Sequence, residues 1–130
     1  MKKRQVVITG AGACGLMAAI MAARNGAAVT VLEQNEKPGK KICATGNGRC
    51  NFSNLARPDD AYRGEHPEFV EDALREFSVQ NTIEFFKEIG IYPLNRNGYL
   101  YPRSNQGSKC RINRDNAVMK ALCQHISTAV

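Results

Sequence analysis

Apolar positions along the first third of the chain fall into two short runs around a stretch of small residues. Val6, Val7 and Ile8 are continuous, which is the mark of a parallel strand covered on both faces. "TGAGACGLMAAIMAARNG" follows, and then "AVTVLE". The order predicts strand, tight turn, helix, strand. Ala18, Ala19, Ala22 and Ala23 keep the helix narrow where it lies on a sheet, and Gly26 ends it. From Gln34 to Asn54 apolar residues become sparse, and a polar loop is expected. Further on, Phe69, Val70, Ala73, Leu74 and Phe77 recur at helical spacing. A second helix is expected to start at a Ser78 cap, to carry Ile83, Phe86 and Ile89 as its stripe, and to stop at Gly90. The aromatics of both helices are expected in the core. Asn97-Gly98, set between short β-prone runs, signals a hairpin.

The turn after the first strand carries candidate chemistry. Gly10, Gly12 and Gly15 supply G-x-G-x-x-G where a strand meets a helix. The first glycine permits the turn, the second lets backbone approach a pyrophosphate, and the third lets helix pack on strand. Helix-start amides and the helix dipole then favour an anion. Glu33 closes the second strand, where an acid accepts hydrogen bonds from adenosine ribose hydroxyls and repels a 2′-phosphate. The whole pattern gives an α/β, Rossmann-like dinucleotide-binding fold. It does not by itself choose between NAD and FAD.

The polar stretch that follows is unlike a simple NAD-binding unit, where the second strand leads by a helix into a third. Lys37, Lys40, Lys41 and Arg49 are cationic, and Gly39, Gly46 and Gly48 allow close backbone approach. Thr45, Asn47, Asn51 and Asn54 are neutral hydrogen-bonding groups. Together "GAGACGLMAA", "VLEQNEKPGKK", "ATGNGRCNFSN" and "GYLYPRSNQ" resemble the bacterial BaiN/YhiN-like flavoproteins, NAD(P)/FAD-dependent oxidoreductases, over about residues 1–106. The resemblance implies an FAD-binding fold of the two-dinucleotide-binding-domain type, here incomplete, with a helical segment and a β-hairpin. It implies that Gly10, Gly12, Ala13, Cys14 and Gly15 line the FAD pyrophosphate and that Glu33 and Gln34 face the adenosine ribose. Lys41 and the segment Gly46, Asn47, Gly48, Arg49, Cys50 and Asn51 would run along the diphosphate and the flavin. It further implies hydride transfer between NAD(P)H, FAD and a small-molecule substrate of unknown identity. The family includes enzymes resembling reducers of carbon–carbon double bonds in dehydro bile acids.

Flavin-linked dithiol reductases commonly use C-x4-C, whereas six residues lie between Cys43 and Cys50. Cys50 is therefore expected to line the site rather than to react. No catalytic residue is identified, and neither His66 nor His125 has a recognised catalytic setting.

The resemblance divides the chain into a dinucleotide-binding unit with its second loop (1–54), helices and hairpin (55–106), and a basic tail (107–130) that departs from the family pattern. An altered reading frame near Gln106 is one origin for such a tail. Flavoproteins of this type also carry a substrate domain and often a Gly-Asp pair for the ribityl chain; the sequence has no Gly-Asp, so a truncated protein is expected. Two alternatives stay open: a small NAD-binding module, and a non-enzymatic remnant with an incomplete cofactor site.

Composition narrows the rest. The net charge of +6 is unevenly placed, with eight Lys/Arg against two acids in residues 1–49 and four against nine in 57–88. The basic tail lacks aromatic interleaving and matches no nucleic-acid motif, so no nucleic-acid partner is expected. "MKKR" before an uncharged run imitates a signal peptide, but the glycine spacing gives that run a better account and no membrane association is expected. Five cysteines without CxxC or zinc spacing suit a reducing cytoplasm and no metal.

Overall fold

A computed structural model describes residues 3–55 and 61–103. The described residues fall into two compact units, divided between Cys50 and Asn51.

In the first unit, β1 (Gln5–Thr9) pairs in parallel with β2 (Ala28–Leu32), running from Gln5 opposite Ala28 to Thr9 opposite Leu32. The crossover is α1 (Ala13–Arg24), which buries Leu16, Ala19, Ile20 and Ala23. Leu16 and Ile20 are 2% and 1% exposed, and full burial of such side chains stabilises by about 1.5–3 kcal/mol each. The helix ends in a Schellman motif: Gly26 N–H donates to the Ala23 carbonyl and Ala27 N–H to that of Ala22. A short helix, α2 (Lys40–Ala44), then interrupts the stretch expected to be loop, with Ile42 buried as its anchor.

One expectation for this unit fails. The run Val6–Ile8 suggests burial on both faces, yet burial alternates along β1 and Val7 is 63% exposed. Leu32 on β2 is exposed too. Both strands have one covered face, because α1 packs on one side of the pair only among the described residues.

The second unit is built on a three-stranded antiparallel sheet in the order β3 (Ser53–Asn54), β5 (Tyr99–Pro102), β4 (Pro93–Arg96). The expected hairpin is present: Arg96 pairs with Tyr99 around Asn97 and Gly98, whose φ values of 52° and 88° are those of a type I′ turn. Strand β3 was not anticipated; it pairs with β5 at the end of the second glycine-rich stretch.

Two helices precede the hairpin, α3 (Phe69–Glu76) and α4 (Val79–Glu88). Ser78 caps α4 in a capping box with Asn81, and Gly90 follows its end. The stripe is shifted, however: Ile83 and Phe85 are buried, whereas Phe86 and Ile89 are half-buried. Phe86 stacks on Phe52 with ring centroids 4.4 Å apart and meets Phe85 edge-on at 5.5 Å. Helix α3 buries nothing among the described residues, so the expected core role of Phe69 (79% exposed) and Phe77 (41%) is corrected. Helical spacing gathers these apolar side chains on one face; burial needs something packed on that face. No helix among the described residues is long and apolar enough to cross a membrane. The basic tail, with His125, lies outside the described residues.

Candidate functional site

The first loop leaves β1 with one more ladder bond, from Gly10 N–H to the Leu32 carbonyl at 2.6 Å. Gly10 then turns at φ 89°, a conformation that disfavours any other residue. Gly15 is glycine for another reason: a Cβ there would lie 1.9 Å from the Gly10 carbonyl oxygen. Helix and strand can approach this closely only without that side chain.

Gly12 has neither reason. Its φ of −83° is open to every residue, and a Cβ on it would meet nothing within 4 Å. It is the N-cap of α1 and makes no side-chain cap; the first helical bond, Leu16 N–H to the Gly12 carbonyl, spans 2.9 Å. The amides of Ala13, Cys14 and Gly15 come before that bond and have no acceptor within the helix. Ala13 and Cys14 are exposed there, and Cys14 is a free thiol. No acid occupies the first turn of the helix. The result is an exposed patch of amide donors at the positive end of a helix, bordered by a position without a side chain.

Glu33 comes back beside this loop because of the strand register, which sets Leu32 opposite Thr9. Its Oε2 accepts the Ala11 amide at 2.8 Å. Oε1 accepts both the Asn35 amide at 2.9 Å and the Asn35 Nδ2 at 2.6 Å. The Asn35 amide, the Ala11 amide and the Asn35 side chain, in that order, hold the carboxyl below its ordinary value of 4.5. Gln34 is exposed next to it.

The residue that Glu33 holds also reaches the second loop. The Ala11 carbonyl accepts the Gly39 amide at 2.8 Å, and Gly39 is the residue just before α2. Lys41 is exposed on that helix. After Thr45 the chain turns through a run of left-handed residues, with φ of 58° at Gly46, 55° at Asn47 and 80° at Gly48. Arg49 is exposed, and its amide donates to the Gly46 carbonyl at 3.2 Å.

Cys50 is 4% exposed at φ 57°, with its amide on the Thr45 carbonyl at 3.0 Å. A left-handed non-glycine residue costs roughly 1–2 kcal/mol, so local backbone preference does not explain a cysteine at this position. Cys43 is half-buried, and neither cysteine is in a disulfide among the described residues. Asn51 opens the second unit. Its Oδ1 is buried and has no hydrogen-bond partner among the described residues.

The first unit thus brings together Gly10, Gly12, Ala13, Cys14, Gly15 and Glu33, and ties Lys41's helix to them through Ala11. Two contributors, Ala11 and Asn35, are absent from a motif reading because they act through backbone or through another side chain. An Asn two residues after a strand-end acid was the available signal, since Asn readily closes such a turn. His66 does have a carboxylate neighbour, Glu68 at 3.1 Å, but both side chains are largely exposed. No group of three or more metal-ligating side chains occurs among the described residues.

The site's donor set fits a dinucleotide. Exposed helix-start amides suit a diphosphate, and Gly12 leaves the approach open. The fixed carboxylate suits a ribose hydroxyl.

The family model described as HI0933-like protein Rossmann domain matches residues 4–125, past the point at which the motif resemblance stops. A 3-dehydro-bile acid delta(4,6)-reductase of Clostridium scindens is 49% identical over 106 residues, covering 80% of this chain and 26% of that protein. A ribosomal RNA dihydrouridine synthase of Escherichia coli is 36% identical over 91 residues, covering 70% of this chain and 23% of that one. The Haemophilus influenzae protein of the same description is 40% identical over 85 residues, or 65% and 21%. The chain therefore spans about a quarter of the length of the curated relatives it matches.

Proposed function

Because the chain belongs to the HI0933-like Rossmann-domain family, the BaiN/YhiN flavoproteins that its motifs resemble, we propose that it is the FAD-binding part of a flavin-dependent oxidoreductase. In this reading the amides of Ala13, Cys14 and Gly15 hold the diphosphate, with Gly10 making the turn and Gly12 clearing the approach. Glu33 accepts from the adenosine ribose, with Gln34 beside it. Lys41 and the segment from Gly46 to Asn51 (Asn47, Gly48, Arg49 and Cys50 between) serve the diphosphate and the flavin. FAD, when bound, supplies hydride transfer between NAD(P)H and a substrate. The chain's own contribution is to bind and orient.

The observation that carries this reading is Gly12. Backbone conformation accounts for Gly10 and packing accounts for Gly15, while nothing within the described residues requires glycine between them. A ligand that needs the space does.

The relatives' names also bear on substrate class. A delta(4,6)-reductase and a dihydrouridine synthase both add hydrogen across a carbon–carbon double bond in a ring. We take the same transformation for the complete protein, on a small molecule as in the relative at 49% identity, with RNA as the alternative that the synthases favour. The setting we propose is the cytoplasm, where Cys14, Cys43 and Cys50, none of them in a disulfide among the described residues, stay reduced.

Purifying the chain and recording its visible spectrum tests the cofactor. A yellow protein that releases FAD on denaturation is the expected result. A colourless protein that binds NAD tightly would replace this reading with a small NAD-binding module, and one that binds neither would leave a remnant with an incomplete site.

A further inference from the structure

The sequence contains three Asn-Gly dipeptides, Asn25-Gly26, Asn47-Gly48 and Asn97-Gly98. Such a pair is especially open to loss of the asparagine side-chain amide, because glycine leaves its backbone nitrogen unshielded by a Cβ. All three asparagines are exposed, so access of water does not distinguish them. Their glycine amides do.

The Gly26 amide donates to the Ala23 carbonyl at 2.9 Å, inside the Schellman end of α1. The Asn25 carboxamide is held as well, its Nδ2 donating to the Met21 carbonyl at 2.8 Å. At the hairpin, the Gly98 amide donates to Asn95 Oδ1 at 2.9 Å. Asn47-Gly48 makes a turn of the same left-handed kind, with φ of 55° and 80° against 52° and 88° at Asn97-Gly98. Among the described residues, however, neither the Gly48 amide nor the Asn47 carboxamide has a hydrogen-bond partner.

From this contrast we propose that Asn47 is a site of spontaneous deamidation and that the fold shields Asn25 and Asn97 from the same reaction. The Gly48 nitrogen gives its proton to solvent and bonds to Asn47 Cγ. The bond from Cγ to Nδ2 breaks, and ammonia leaves with a proton drawn from water, closing a five-membered succinimide. Water then opens the ring at either carbonyl, giving aspartate or isoaspartate. One water is consumed and one ammonia released, with no oxidant or reductant. At Gly26 and Gly98 the nitrogen must first leave its acceptor. Isoaspartate carries the main chain through the former side chain and lengthens it by one carbon. That carbon falls inside both rings that close this loop, Arg49 N–H to the Gly46 carbonyl and Cys50 N–H to the Thr45 carbonyl. Either product sets a carboxylate two residues before Arg49, in the segment that the cofactor reading gives to the diphosphate and flavin. The chemistry itself needs no ligand and stands without that reading.

The test incubates the full chain at mildly alkaline pH, folded and in urea, and follows the three sites by peptide mass spectrometry, reading the mass gain from amide to acid. In the folded chain Asn47 should react about tenfold or more faster than Asn25 and Asn97, the scale of one hydrogen bond that need not be broken. In urea the three should fall within about twofold of one another, since each is followed by glycine. Asn95→Ala removes the acceptor at Gly98 and should bring Asn97 up to the rate of Asn47, whereas Asn95→Asp keeps an acceptor oxygen and the protection. Equal rates in the folded parent would overturn the proposal, as would a lead for Asn47 that persists undiminished in urea. An Asn97 as slow in Asn95→Ala as in the parent, or equally fast in both variants, would also overturn it, because the glycine amide's acceptor would not then be the shield.

Discussion

The two glycine-rich loops look alike in composition and are built on different terms. In the first, each glycine has its own cause: a left-handed turn at Gly10, a helix-to-strand contact at Gly15, and cleared space at Gly12. In the second, left-handed backbone runs through glycine and non-glycine alike, with Asn47 at φ 55° and Cys50 at φ 57° beside Gly46 and Gly48. The first loop is shaped by what touches it. In the second, residues hold a backbone that their own side chains disfavour, and the surroundings of buried Cys50 must offset that cost. Glycine content alone therefore says little about what a loop needs.

The contrast can be broken most forcefully at Gly15. Gly15→Ala puts a methyl group into the Gly10 carbonyl, and urea unfolding should show a loss of about 3 kcal/mol. A variant as stable as the parent would remove packing as the cause. Next in size is Cys50→Val, a β-branched residue forced to positive φ, with an expected loss of about 2 kcal/mol. Cys50→Gly relaxes the backbone but empties a buried place, and should stay within about 1 kcal/mol of the parent. If Val were tolerated as well as Gly, the left-handed conformation would not be holding the second loop.

Gly12→Ala separates binding from folding. The methyl lowers the entropy of the unfolded chain but caps the helix less well than glycine, so stability should stay within about 0.5 kcal/mol. FAD affinity measured by titration should nonetheless fall by about tenfold or more, as expected when a side chain intrudes on a close backbone approach.

The smallest effect belongs to Glu33. Its carboxyl is held below 4.5 in the folded chain, so the stability it contributes is fully present above 4.5 and is lost as pH falls through the lower folded value. The stability difference between the parent and Glu33→Gln should be flat above 4.5 and shrink only below it. A difference that shrank between pH 7 and 5 would contradict the hydrogen bonds that hold this carboxylate ionised.

What the sequence made legible follows the same division. The strand-turn-helix-strand order, the end of α1 at Gly26 and the hairpin at Asn97-Gly98 are local, and each rests on residues whose backbone preference is strong. Phe69 and Val7 were misjudged because periodicity orients an apolar side chain without showing what lies against it. The stripe of α4 is one position off for the same reason, with Phe85 buried where Phe86 was expected to lead. Within the candidate site, the glycines and Glu33 were readable from spacing. The bonds from Ala11 and Asn35 to Glu33 were not, since a backbone amide has no signature in the alphabet of side chains.

The pairing of Thr9 with Leu32 also bears on how such a chain tolerates insertions and deletions. An added residue in the turn between α1 and β2 leaves the strand register intact, and Glu33 still arrives beside Ala11. The same residue added within β2 advances the strand by about 3.3 Å and turns every later side chain to the opposite face. Length change is thus cheap at Asn25–Gly26 and ruinous a few positions later, and lineages that keep this site should vary in length at the first place and hold constant at the second.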